Sequence, residues 1–308
     1  MARIALKIDV DTDRGTREGV PRLVDLLQRM GARATFLFSV GPDHTGRAIR
    51  RVFRRGFFGK VRRTSVVQHY GVKTLLYGTL LPGPHIGKRN GALMRDVASR
   101  GFEVGVHTYD HAKWQDNVAH ADPEWTRREL ARAQTQFVDI FGFRPIVHGA
   151  AGWQMNPHVP RLEHSLGFRY ASDTRGTGPF LPVMRGIVGR VPQLPTTLPT
   201  LDELLGRTDL SHGGAVEELL AITAREHRDH VFTLHAELEG GHYLSAFEQL
   251  LKAWRDYGYE LSDLGTQFDA LDHEQLPLHE VISGTVAGRA GKLAVQGLRS
   301  GVIPIAAG

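Results

Sequence analysis

The chain has 308 residues, of which 41% are hydrophobic, and it carries a formal net charge of +5. This length and composition suffice for one αβ barrel with a full core, so a second domain is not required. There is no cysteine, which excludes disulfide and thiolate chemistry and leaves histidine and carboxylate side chains as metal ligands. No run of about 18 apolar residues occurs, so we expect no membrane-spanning helix.

Strands and helices alternate along most of the chain. The predicted strands, in chain order, are RIALKI, ATFLFSV, EVGV, PIV, FRYAS and HVFTL. The predicted helices cover about 16–30, a segment near Met94, 123–141, 157–167, 214–225 and 243–257. This alternation predicts parallel strands surrounded by helices, in a barrel. The stretch 174–199 is rich in Gly and Pro and is expected to rim the barrel mouth.

Polar residues stand where the apolar strand-like runs stop. In a barrel of parallel strands, such positions face one mouth, where active sites of this architecture lie. The strand-end residues are Asp9, Asp11, His107, His148, Asp173 and His235.

His107 and His111 are four residues apart, directly after the run EVGV. Two imidazoles, one carboxylate and an open coordination position make a hydrolytic metal site. Two histidines at this spacing can also simply share one side of a helical turn. The aspartates at another strand end favour the metal site.

The order of motifs resembles the polysaccharide deacetylase family, the NodB-like carbohydrate esterases. The motifs are Asp-Val-Asp at the front, HTYDH, Arg144-Pro145 and Leu234-His235, and the resemblance runs from about Ile4 to about Leu264. It implies a distorted (β/α)7-type TIM-like barrel, an α/β fold in a single domain. The expected barrel covers 1–275, with a basic insertion at about 44–95. The tail, 276–308, has no identifiable role in the sequence.

Two longer segments resemble one branch of that family. KIDVDTDRGTREGVPRL and RPIVHGAAGWQMN look like enzymes that deformylate 4-deoxy-4-formamido-L-arabinose carried on undecaprenyl phosphate, a step in lipid A modification and polymyxin resistance. The resemblance implies a metal-dependent amidohydrolase acting on this lipid-linked sugar. Alternatives are a deacetylase of another N-acylated sugar or polysaccharide, and a binding protein with an inert barrel.

The resemblance also implies a role for each candidate residue. Asp11, His107 and His111 are the expected ligands of one divalent metal ion, and Zn²⁺, Mn²⁺ or Co²⁺ would each suit them. Asp9 is the expected base, although many relatives have adjacent aspartates, so the roles of Asp9 and Asp11 can be exchanged. His235 is expected to protonate the departing amine. The remaining candidates orient these groups or bind substrate: Asp173 or another carboxylate beside His235, and Arg144 and His148.

The basic charge is concentrated in one segment. Twelve Lys or Arg and no Asp or Glu lie between His44 and Arg95, while the rest of the chain has 26 basic and 33 acidic residues, a net charge of −7. In RAIRRVFRRGFFGKVRR, apolar residues recur at helical spacing opposite five arginines, which is typical of a helix on an anionic membrane surface. A packed helix with a solvated basic face is the alternative, and no nucleic-acid-binding fold is evident.

Catalytic-type residues begin at position 9, where cleavage of a signal peptide would remove part of the site. We therefore expect a peripheral protein on the cytoplasmic side of the bacterial inner membrane.

Overall fold

The computed structural model describes residues 1–47, 73–207 and 212–301. The basic segment from Arg47 to Arg63 falls outside these ranges apart from Arg47 itself, so its placement on a membrane stays a prediction. Within the described ranges, no helix is long and apolar enough to cross a bilayer.

The described residues form eleven strands and nine α-helices. The strands are β1 (Arg3–Val10), β2 (Thr35–Ser39), β3 (Glu103–Thr108), β4 (Val147–His148), β5 (Tyr170–Ala171), β6 (Leu181–Met184), β7 (Ile187–Val188), β8 (His230–His235), β9 (Glu260–Ser262), β10 (Leu278–Gly284) and β11 (Leu293–Arg299). The helices are α1 (Val20–Met30), α2 (Ile86–Ser99), α3 (His111–Asn117), α4 (Pro123–Phe141), α5 (Val159–Leu166), α6 (Leu201–Leu205), α7 (His212–Arg225), α8 (Leu244–Asp256) and α9 (Leu264–Asp269). Short π or 3₁₀ turns cover Gly15–Gly19, Val118–His120, Ala151–Trp153 and His273–Gln275.

Seven parallel strands form the main sheet, in the order β5-β4-β3-β2-β1-β8, with β9 also paired to β1. Residues 192–198 fill the gap between β5 and β8. Ala171 N donates to Pro192 O at 2.9 Å, and Thr197 N donates to Val231 O at 3.1 Å. The sheet therefore closes into the distorted barrel that the sequence predicted, with an irregular segment in place of one strand.

Alternation along the strands separates a helix-facing layer from the barrel interior. On β1, Ile4, Leu6 and Ile8 pack in the large core beneath the helices, whereas Ala5 belongs to a smaller core inside the barrel. Successive side chains point to opposite faces of a sheet. Lys7 and Asp9 therefore share the interior face with Ala5, and both are buried.

Local sequence signals define both ends of helix α4. Asp122 caps α4 by accepting a hydrogen bond from Trp125 N at 2.7 Å, Pro123 occupies the first helical turn, and Gly142 ends the helix with φ +79°. These are the usual start and stop signals of a helix. The predicted bounds of this helix, 123–141, are confirmed.

The C-terminal region forms a second sheet, ordered β11-β10-β6-β7. β10 and β11 make an antiparallel hairpin, and β10 runs parallel to β6. The tail that had no identifiable role in the sequence thus packs beside the barrel. Its connecting loop carries Gly288 (φ +80°), where an added Cβ would lie 2.0 Å from Glu203 O, so only glycine permits this close docking on α6.

Candidate metal centre

Asp11, His107 and His111 converge at the C-terminal end of the barrel. Asp11 Oδ1 lies 3.2 Å from His107 Nε2, and Asp11 Oδ2 lies 3.3 Å from His111 Nε2. Ligand atoms that each lie about 2.1 Å from one ion are about 3.0–3.4 Å apart at octahedral or tetrahedral angles. The structure therefore brings together the three residues expected to bind metal.

Local structure explains this convergence. His107 lies near the end of β3 and points inward, and His111 is the first residue of α3. Asp110, between them, caps α3 by accepting from Lys113 N at 3.1 Å and also bonds His44 Nδ1 at 2.7 Å. The strand-to-helix turn thus brings both imidazoles to one point. Asp11 follows β1 directly.

The chemistry of the donor set fits a divalent cation. Burial, aided by His107, lowers the pKa of His111 to about 4 against the opposing charge of Asp11, so this imidazole is neutral at pH 7, as a metal ligand must be. Burial alone would raise the pKa of Asp11, but the two histidines lower it well below its usual range. Asp11 Oδ1 and His107 Nδ1 are buried without a hydrogen-bond partner in the described residues. A buried polar atom without a hydrogen-bond partner or a bound ion destabilises the folded state.

Asp9 lies beside this cluster, on the interior face of β1. Its Oδ2 is 3.4 Å from the ammonium of Lys7, and its Oδ1 is 3.8 Å from His107 Nδ1. Lys7 is completely buried and donates to Ser172 O at 3.0 Å. Sequence reasoning missed Lys7, although its position two residues before Asp9 places it on the same strand face.

His235 ends β8 directly opposite Asp9 in the register of the two strands. Its Nδ1 lies 3.8 Å from Asp202 Oδ1. Burial by itself lowers the pKa of His235, but nearby carboxylates, Asp202 first among them, outweigh it and raise the pKa to about 9. The imidazole is therefore protonated at pH 7 and can donate a proton.

Two buried glutamates of the HAELEG segment hold the backbone around these groups. Glu237 Oε1 accepts hydrogen bonds from Asp11 N at 3.0 Å and Thr12 N at 2.7 Å. Glu239 Oε2 accepts from His235 N at 2.8 Å. Burial raises the pKa of Glu237 to about 8 and that of Glu239 to about 7. These supports fix Asp11 and His235, and sequence reasoning did not find them.

His148 and Asp173 do not join the metal cluster. His148 is in register with Val106, so it points toward the helices, opposite to His107. His148 Nδ1 lies 2.7 Å from Glu163 Oε1 and 3.1 Å from Asp173 Oδ1, and all three residues are buried. They form a second group able to hold a metal ion. His148 and Asp173 are both buried away from the metal cluster, and their role as orienting or substrate-binding residues stays a prediction.

Two expected orienting contacts are replaced by others. The sequence analysis expected Asp173 or another carboxylate beside His235. In the structure, the carboxylate beside His235 is Asp202. Arg144 is exposed on the turn that precedes β4, whereas the metal cluster lies at the opposite, C-terminal ends of the strands. Lys7 is the cation that contacts Asp9 instead.

Trp153, from the HGAAGWQ segment, forms a wall of the site. Its ring lies edge-to-face with His235, at 6.4 Å between centroids, and its Nε1 donates to Thr196 Oγ1 at 3.0 Å. Its φ is +52°, unusual for a residue with a Cβ and the kind of backbone strain found at functional sites. Arg289, from the C-terminal hairpin, stacks on the same ring at 4.5 Å.

Comparison with known proteins decides the family. The polysaccharide deacetylase domain matches residues 5–171. A protein of Shewanella sediminis is 36% identical over 299 residues, which cover 96% of this chain and 95% of that protein. The chain belongs to the polysaccharide deacetylase family.

Two further proteins are similar to this chain. A Wigglesworthia glossinidia brevipalpis protein is 30% identical, across 92% of this chain and 98% of its own length. Both curated relatives are named probable 4-deoxy-4-formamido-L-arabinose-phosphoundecaprenol deformylase ArnD. A crystal structure of a putative polysaccharide deacetylase from Mycobacterium smegmatis superposes with a TM-score of 0.63 at 17% identity, covering 92% of this chain and 96% of that one. The latter likeness supports the family fold.

Proposed function

We propose that this protein is a metal-dependent hydrolase that removes the formyl group from 4-deoxy-4-formamido-L-arabinose carried on undecaprenyl phosphate. One observation supports the proposal most: Asp11, His107 and His111 lie close enough together to hold one metal ion, next to the paired strand ends of Asp9 and His235, in a chain that aligns along nearly its whole length with two relatives named as probable deformylases. The product would be a free aminosugar lipid for lipid A modification and polymyxin resistance. The protein would act peripherally, at the cytoplasmic face of the inner membrane.

The chain's own residues divide the chemistry among metal ligands, a base and an acid. Asp11, His107 and His111 would hold one divalent ion, which when bound supplies water activation and polarisation of the formyl carbonyl. Asp9 accepts the proton of the attacking water at Oδ1, because Oδ2 faces Lys7. A base held in this way contributes a factor of about 10² to 10⁴ in rate.

His235 acts on the leaving group of the amide. It donates a proton to the sugar nitrogen as the C–N bond breaks, which makes the amine a competent leaving group. The carboxylate of Asp202 stabilises the imidazolium, and the wall formed by Trp153 limits the movement of the ring. Asp9 and His235 thus serve as base and acid from neighbouring strands.

The direct test is incubation of the purified, metal-loaded protein with the formamido-arabinose lipid, with formate and the free amine both quantified. We expect the two products in equal amounts. Release of acetate from N-acetyl sugars, without formate from the arabinose lipid, would instead establish a deacetylase of another N-acylated sugar.

A further inference from the structure

A second surface near the site has a strong excess of positive charge. Two depressions, of about 380 and 430 Å³, lie along α4 and share Gln136 and Asp139; α4 and Tyr109 line the first, and α2 and α4 line the second. We call them together the cationic groove. Its acidic lining residues are Glu124 and Asp139, and its six basic lining residues are Lys88, Arg89, Arg95, Arg127, Arg128 and Arg132.

Part of this charge has no counter-ion in the fold. Arg127 pairs with Glu124, Arg89 with Asp13, and Arg132 with Glu129 at 3.3 Å. Lys88 and Arg128 are exposed, and neither forms an ion pair within the part of the chain that the structure describes. Clustered cations attract anionic ligands, because the charge excess raises the local potential.

Tyr109 lines one of the two depressions and belongs to the HTYDH segment that carries His107 and His111. Tyr109 stands midway between His107 and His111, so its Cα lies within about 7.6 Å of theirs. The guanidinium of Arg132 stacks on the Tyr109 ring at 4.0 Å, and the Tyr109 hydroxyl lies 3.5 Å from His85 Nε2.

Cations also crowd the mouth end of the groove. Burial, followed by the charges of Lys88 and Arg132, lowers the pKa of His85. His85 and Arg132 thus contact Tyr109 directly, and Lys88 lies one helical turn beyond His85, where its backbone N–H donates to His85 Nδ1 at 3.4 Å.

We propose that the cationic groove binds the phosphate that joins the substrate's sugar to its lipid carrier. This inference rests on the proposed function, because the groove is assigned to the same substrate. In a 4-formamido sugar attached through phosphate, one sugar ring separates the amide from the anion. With the amide at Asp9 and His235, the phosphate would lie at Tyr109, beside Arg132 and Lys88. Arginine and lysine are the usual phosphate-binding side chains.

The test uses the triple variant K88Q/R128Q/R132Q and two soluble formamido-arabinose substrates. One substrate carries a short prenyl phosphate, and the other is a neutral methyl glycoside. We expect KM for the phosphate-bearing substrate to rise about tenfold or more, since bonds to charged groups are involved. Turnover of the glycoside and metal content should stay unchanged. The matched control R22Q/R29Q/R161Q removes three exposed charges elsewhere and should leave both KM values unaltered.

Further outcomes separate this inference from the proposed function. If the wild type deformylates neither substrate, binding of the short prenyl phosphate alone can be measured by calorimetry. Loss of this binding in the triple variant would support phosphate binding by the groove. An unchanged KM or unchanged prenyl phosphate binding would overturn it. The inference would also be overturned if the triple variant no longer bound phosphatidylglycerol vesicles but kept an unaltered KM. The groove would then contact the membrane surface and not the substrate.

Discussion

Asp202 Oδ1 lies 3.8 Å from His235 Nδ1, while Asp202 Oδ2 faces Arg289 of the C-terminal hairpin at 4.0 Å. Asp202 therefore links the proposed acid of the reaction to a region that the sequence left without a role. Thr200 Oγ1 holds the carboxylate in place, donating to Asp202 Oδ1 at 2.6 Å.

Asp202→Asn should lower kcat by about tenfold or more and change its pH dependence. The carboxylate stabilises the imidazolium, so its removal lowers the pKa of His235 from the value of about 9. Because a general acid must be protonated, the alkaline limb of the kcat profile should move to lower pH. A profile with an unmoved alkaline limb would show that Asp202 does not act on His235.

Asp9→Asn and Asp11→Asn should separate the base from the ligand. Asp9→Asn should retain the metal and lose a factor of about 10² to 10⁴ in kcat. Asp11→Asn should weaken metal binding itself, because the amide replaces a charged ligand. Elemental analysis and turnover on the same preparations measure both effects, and the reverse pattern would exchange the two roles.

Lys7→Met should destabilise the fold and slow the reaction while leaving the metal ligands intact. The substitution leaves the Asp9 carboxylate buried without its cation, and breaking a buried pair from one side costs about 3–5 kcal/mol. Denaturant unfolding measures the loss. An unaltered free energy of unfolding together with wild-type kcat would mean that Lys7 supports neither Asp9 nor the barrel interior.

The His148 cluster should stabilise the fold in a pH-dependent way. Burial opposes the charge on His148, but Asp173 and Glu163 raise its pKa from 6.5 to about 10. The stabilisation is complete below pH 6.5 and is lost as pH rises toward 10, where the folded state releases the proton. The difference in unfolding free energy between wild type and His148→Gln should therefore be larger at about pH 6 than at about pH 9.5. Equal differences would contradict an ion-paired His148.

Much of the barrel could be predicted because each strand is an apolar run that ends in a polar residue. The strand ends at Asp9, His107, His148 and His235 lie where the sequence placed them. Whether these side chains lie close together depends on which face of its strand each one occupies. Asp9 and His107 point inward, but β4 has only two residues, too few for an alternation pattern to show that His148 points outward.

Other parts of the site depend on contacts between distant segments. Asp202 reaches His235 from α6, and Arg289 reaches Trp153 from the C-terminal hairpin. No local periodicity encodes such pairings, because they depend on how irregular loops pack against the barrel. Lys7 is the exception: a lysine inside the apolar run RIALKIDV, on the same face as Asp9, was a signal that could have been used.

The most direct test measures bound metal and formate release together in wild type, His107→Ala and His111→Ala. Removal of one imidazole leaves too few ligands to hold the ion, since even supporting residues cost 10- to 100-fold in affinity. We expect formate release in proportion to bound metal, and neither metal nor activity in the two variants. Full metal occupancy in both variants, or formate release from metal-free wild type, would contradict the proposed centre of Asp11, His107 and His111.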